Sequence, residues 1–165
     1  MAVCRAPESL GEGRAHAIHF LLRVQLPSGE FPTAVSEDGS FVDARADSNV
    51  FTTAIVLHAL RAARGDPGVR GAARKAIRWL RTQRDPSGLW TFWGLPMRDF
   101  LPQRRIPPDV DCNACVVGAF KDWGADFPYE AFLRGLAKRR NPDGENSVRC
   151  RGGSRPCQRR LRIRA

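Results

Sequence analysis

One pattern recurs in this chain at a spacing of 59 residues. Phe20-Leu21 is followed by Gln25 and then by Pro27-Ser28-Gly29-Glu30-Phe31. Trp79-Leu80 is followed by Gln83 and then by Pro86-Ser87-Gly88-Leu89-Trp90. A weaker third copy ends at Asn141-Pro142-Asp143-Gly144, 56 residues beyond Gly88. The stretches downstream of the first two copies match as well: Asn49-Val50-Phe51-Thr52-Thr53-Ala54 lies over Asp109-Val110-Asp111-Cys112-Asn113-Ala114. A repeat of this length is a hairpin that cannot bury its apolar face alone, so consecutive copies must stack.

Hydrophobic periodicity sets the elements within each copy. Residues 13–26 read as a helix, with Ile18, Leu21, Leu22 and Leu26 apolar, stopped by Pro27-Ser28-Gly29. Asp47-Ser48 offers a cap for a second helix over 49–63. Its apolar residues lie nearly all round, which predicts burial on every side. Residues 69–84 form a third helix with one apolar stripe (Ala72, Ala73, Ala76, Ile77, Trp79, Leu80) and a solvated face of arginines. Residues 89–105 are irregular and aromatic. Pro107-Pro108 then halts the chain before a fourth helix over 110–122, and Pro128 suits the first position of a fifth, over 129–140.

Bulk composition excludes several classes. The chain has 165 residues, 42% of them hydrophobic, which suits one globular unit. No apolar run is long enough to span a bilayer, and residues 1–13 lack the apolar core of a signal peptide. The net charge of +10 is uneven: residues 145–165 hold seven arginines and one glutamate. The high charge is therefore largely a property of the tail, and the body carries no nucleic-acid signature. Only Lys75, Lys121 and Lys138 stand against a large excess of arginine, a bias expected of a GC-rich, bacterial source genome. Five scattered cysteines point to a reduced, cytoplasmic setting.

The repeated residues resemble the QW repeat of squalene and oxidosqualene cyclases, shared more loosely by the terpenoid cyclase and protein prenyltransferase superfamily of α/α toroids. The likeness spans roughly residues 13–144. It implies an all-α fold of outer and inner helices, with Gln25–Phe31 and Gln83–Trp90 stapling one hairpin to the next. Class II cyclases carry Asp-x-Asp-Asp-Thr-Ala at the start of an inner helix, and the middle Asp protonates an alkene or epoxide. Asp109-Val110-Asp111 matches the first three positions, so Asp111 falls on the proton donor, beside Asp109. Cys112 and Asn113 replace the next two residues, and Ala114 agrees. Oxidosqualene cyclases have Asp-Cys at the corresponding place.

The chemistry explains the residue types. Protonating a double bond needs a strong acid in a dry pocket, and the resulting cation is held by aromatic faces. Trp90, Phe92, Trp93, Phe51 and Phe120 are the candidate wall, with core packing as their alternative role. The implied substrate is a hydrophobic isoprenoid, and peripheral contact with a membrane surface is compatible with it. No cofactor is implied. Cys112 and Cys115 form a Cys-x-x-Cys without a second pair or a histidine in metal-ligand spacing, so no metal is expected either. His58 is expected to be a satisfied core histidine and Asp109 a helix cap.

About two and a half hairpins make an arc, not a closed ring. The expectation is therefore a partial α/α toroid over 1–144, followed by a disordered basic tail over 145–165 that reads like a frameshifted sequence. Functionally, three readings stand: a fragment of a squalene-cyclase-like protein, inactive alone; a non-catalytic helical scaffold that binds a protein or lipid on its concave face; and a nucleic-acid-associating protein driven by its tail. Oligomeric state is left open.

Overall fold

The computed structural model describes residues 9–36, 42, 44–94 and 108–137. They form α1 (Leu10–Val24), β1 (Pro32–Val35), β2 (Arg45–Ser48), α2 (Val50–Leu60) with one 3-10 turn after it (Arg61–Ala63), α3 (Pro67–Thr82), α4 (Val110–Asp122) and α5 (Tyr129–Ala137). The described residues are mostly helical, and the all-α expectation is corrected by one small two-stranded sheet. Phe100, Ile106, Pro107, the weak third copy and the tail lie outside the described residues.

Helix starts follow from local chemistry. Ser9, Asn49, Asp66 and Asp109 each turn a side-chain oxygen onto a backbone N–H of the first turn, and Pro67 fills a position that needs no donor. Each such cap contributes about 1 kcal/mol. The antiparallel pairing of β1 with β2, Pro32 opposite Ser48, was not anticipated. Both strands have four residues, too few for an alternating pattern to stand out.

The helices stack in two rows. α1 packs on α3, α2 packs on α4, and α2 also packs on α3. Between the rows lies the core: Val50, Ala54, Leu57, Leu60, Ala76, Leu80, Trp90, Val116 and Phe120. α3 buries the stripe expected of it and exposes Arg70, Arg74, Arg78 and Arg81. α2 is not buried on every side. Ile55 is 44% exposed and Ala59 is exposed, because among the described residues the helices packed on α2 are α3 and α4, which leave this side open.

The sequence repeat is also a hydrogen-bond repeat. In the first copy Gly29 N–H donates to Leu26 O and Leu26 N–H to Glu30 O; in the second, Gly88 N–H donates to Asp85 O and Asp85 N–H to Leu89 O. Both glycines have positive φ, 115° and 83°. After each turn the aromatic residue is buried, and its N–H is caught by a later helix, α2 in the first copy and α4 in the second. Phe31 N–H donates to Thr53 Oγ1 at 3.1 Å, and Trp90 N–H donates to Asn113 Oδ1 at 3.0 Å. Those two side chains are themselves anchored alike, Thr53 Oγ1 to Asn49 O at 2.8 Å and Asn113 Nδ2 to Asp109 O at 2.7 Å.

One staple differs from expectation. Gln25 Nε2 donates to Gly29 O at 2.8 Å and to Ala72 O at 2.9 Å, tying α1 to α3. In the second copy the matching donor is Arg84, whose Nε reaches Gly88 O at 2.9 Å. Gln83 stands one residue too early and donates to Thr82 Oγ1.

Candidate functional site

The candidate site is the N-terminus of α4. Asp109 is its cap: Oδ1 accepts from Cys112 N–H at 2.6 Å, where the orphan donors and the positive end of the helix favour a carboxylate. Its carbonyl holds Asn113, which in turn holds Trp90. Asp109 is thus tied to the repeat architecture and not aimed into a cavity.

Asp111 follows in the first turn of α4, exposed, with no hydrogen-bond partner among the described residues. It occupies in α4 the position that Phe51 occupies in α2. Phe51 is half-buried and stacks on Phe92, ring centres 5.6 Å apart, because the extended segment of the following repeat crosses the start of α2. There Val50 N–H donates to Phe92 O, and Gly94 N–H to Ser48 O. Asp111 has no such covering segment among the described residues.

Cys112 is fully buried, with Sγ 3.5 Å from Thr91 O. Burial, with the nearby Asp109, Cys115 and Asp111 charges, pushes its thiol up to about 12. It is therefore a neutral thiol at any ordinary pH and no nucleophile. Cys115 is half-buried and shifted the same way, by burial first and then by Asp111 and Asp109. Among the described residues no group of three or more His, Cys, Asp or Glu side chains converges in metal-binding geometry.

The five aromatic residues divide into two groups. Phe51, Phe92 and Trp93 cluster at the start of α2, half-buried, with Trp93 edge-on to Phe92. Trp90 and Phe120 lie in the hairpin core with Phe127 and Phe132. Trp90 Nε1–H donates to Leu80 O at 2.7 Å, so that ring joins α3 to the turn after it. Beside it is a cavity of about 420 Å³ lined by Arg81, Arg84, Trp90, Phe120, Asp126, Phe127 and Pro128. The Arg84 guanidinium stacks 5.2 Å from the Trp90 ring centre, and Arg81 lies 5.7 Å from that of Phe120. Arg81 and Arg84 put positive charge on the wall of this cavity beside Asp126, and Asp111 does not line it.

Two polar features escaped sequence reasoning. The first is a clasp between α2 and α4. His58 Nδ1 pairs with Asp122 Oδ2 at 2.8 Å, His58 Nε2 with Cys115 O at 2.9 Å, and Arg61 donates to Asp122 Oδ1 at 3.0 Å. Trp123 Nε1–H adds a bond to Leu57 O. Desolvation pushes the Asp122 carboxyl up, but the hydrogen bonds and charges of Arg61 and His58 outweigh it and hold the group below its ordinary range. His58 is satisfied as expected, though half-buried at the rim and not in the core. Gly118 permits the approach, since a Cβ there would stand 2.9 Å from His58 Cε1. The second is Glu30, 3% exposed, which accepts from Ser48 Oγ at 2.9 Å while its other oxygen has no partner. Its counterpart in the second copy is the buried Leu89. The Gly29-Glu30-Phe31 and Gly88-Leu89-Trp90 alignment carried that signal.

No family model matches the chain, and no curated protein or solved structure matches it either. No helix among the described residues is long and apolar enough to cross a membrane.

Proposed function

We propose that this chain is one wall of a squalene-cyclase-like architecture. The parent chemistry is proton-initiated cyclisation of a polyprenyl or triterpene substrate, and this wall does not catalyse it alone. The observation that carries the reading is the standing of Asp111 in the place of Phe51, at the start of an inner helix but open to water. A carboxyl that protonates an alkene must be held protonated in a dry pocket, and the cation must not meet solvent. In the first copy that covering is supplied by the following repeat's extended segment. A further repeat over α4 would supply it to Asp111, with an aromatic at the position of Phe92 to face the cation.

The test is incubation of the purified chain with squalene and with oxidosqualene in detergent, followed by extraction and mass-resolved chromatography. The expected result is no cyclised product. Cyclised product that disappears in Asp111→Asn would show that the chain encloses its own acid site and would overturn its inactivity.

A second reading, a non-catalytic scaffold, is favoured by apolar side chains that stand uncovered at both edges of the stack. It predicts binding without turnover, unaffected by Asp111→Asn.

A further inference from the structure

The two copies of the repeat share their turn hydrogen bonds and the anchoring of the aromatic N–H, so α2 and α4 can be compared position by position. Their mutual interface uses different sides of the two helices. α2 contributes the side of His58, which continues to the fully buried Ala54, and α4 contributes a side about a third of a turn away, that of Cys115 and Asp122, which continues to the fully buried Ala119. Each helix therefore keeps largely uncovered the side that its counterpart uses, with Gly118, which packs on His58, as the exception. On α4, Val110 (44% exposed) and the exposed Ala114 stand where Val50 and Ala54 stand on α2. On α2, Ile55 and Ala59 stand where Cys115 and Ala119 stand on α4.

These two free faces are complementary, since the chain already joins their equivalents to each other. The same holds for the ribbon. The 91–94 segment bridges backward onto Ser48 and Asn49. Its counterpart β1 pairs with β2 on one edge and has no strand on the other among the described residues.

We propose that the chain associates with a second copy of itself head to tail, the Val110–Ala114 face of α4 seating against the Ile55–Ala59 face of α2 of the next copy. The contact continues the internal α2–α4 stacking, and β1 of the incoming copy takes the place that the 91–94 segment takes within the chain. It is heterologous, so it propagates beyond two copies unless the rotation closes a ring. The polar clasp is not reproduced in it. The counterparts of His58 and Arg61 on α4 are Gly118 and Lys121, and the counterpart of Asp122 on α2 is Ala62. The association is accordingly weaker than the internal stacking, and reversible. The proposal does not depend on any cyclase chemistry, and its test reads mass, not turnover.

The experiment is sedimentation velocity of the full chain over a wide concentration range, with Ala114→Arg and Ile55→Arg as variants. Both substitutions fall on exposed positions, and a thermal melt reports that each still folds. The wild type is expected to grow with concentration from its 18.4 kDa monomer. Each variant is expected to associate at least roughly tenfold more weakly. An equimolar mixture of the two retains one intact face on each partner, and is expected to give a one-to-one dimer and nothing larger. A wild type that stays monomeric, whether another segment of the chain covers the face or nothing binds it, overturns the proposal. So does a mixture no heavier than either variant. An Ile55→Arg variant that associates like the wild type points to a face-to-itself dimer and overturns it as well.

Discussion

The first and second copies of the repeat share a skeleton of hydrogen bonds and differ in what that skeleton supports. Thr53 in one and Asn113 in the other catch the same backbone N–H. The side chains at three further matched positions change character, Glu30 against Leu89, Gln25 against Arg84 and Phe51 against Asp111, and at a fourth, Val50 against Val110, the same side chain goes from fully buried to 44% exposed. The last two pairs differ also because the first copy is covered by the second, while the second has no covering repeat among the described residues. The same residue position is core in one copy and edge in the other. A side chain that reads as catalytic from its motif is therefore decided by whether a neighbour encloses it.

The largest expected effect lies at the shared aromatic. Trp90→Ala removes a ring that is wholly buried and bonded to Leu80 O. It should cost about 3–5 kcal/mol in denaturant unfolding, and a loss below about 1 kcal/mol would mean the ring is not the centre of the core. Next come the two turn glycines, which should separate. Gly29→Ala forces a Cβ to 2.5 Å from Lys75 O, at φ 115°. Gly88→Ala meets only the guanidinium of Arg84, a side-chain end, at 3.1 Å, at φ 83°. The first should lose roughly 2–3 kcal/mol and the second about 1 kcal/mol, and equal losses would break the claim that turn one is wedged against α3.

Glu30→Leu installs the second copy's residue in the first. It removes a buried carboxylate oxygen that has no partner. It should raise stability by about 1 kcal/mol, relief of that oxygen outweighing loss of the Ser48 bond, whereas a fall would show that the bond to Ser48 outweighs it. At alkaline pH the buried thiol of Cys112 supplies a separate effect. The folded thiol holds its proton to about pH 12. An unfolded cysteine ionises near about 8.5. Between these values the unfolded state binds fewer protons, so stability should decline as pH rises through that window, and less so in Cys112→Ala. The folded protein should also resist alkylation of Cys112 at pH 8, a rate readable by mass spectrometry.

Much of this organisation was legible in the sequence, for physical reasons. Helix periodicity, proline stops and the Asp109 cap are local properties, and a stacked repeat follows from an apolar face that one hairpin cannot bury. The misreadings arose where local identity and spatial role part. Gln83 attracts the eye because it matches Gln25 in type, yet a one-residue offset hands the staple to Arg84. α2 is apolar all round, but burial depends on how many neighbours stand beside it. His58 and Asp122 are 64 residues apart, and nothing local announces their pairing. Asp111 was found from its motif, but its exposure depends on a covering segment and not on its own neighbours.

The equivalence of the two copies is tested most directly by amide hydrogen exchange at Phe31 and Trp90. Both N–H groups should be protected. Thr53→Val should release Phe31 alone, and Asn113→Leu should release Trp90 alone. An unprotected amide at either position in the wild type, or a release that does not follow its own partner, would contradict the account.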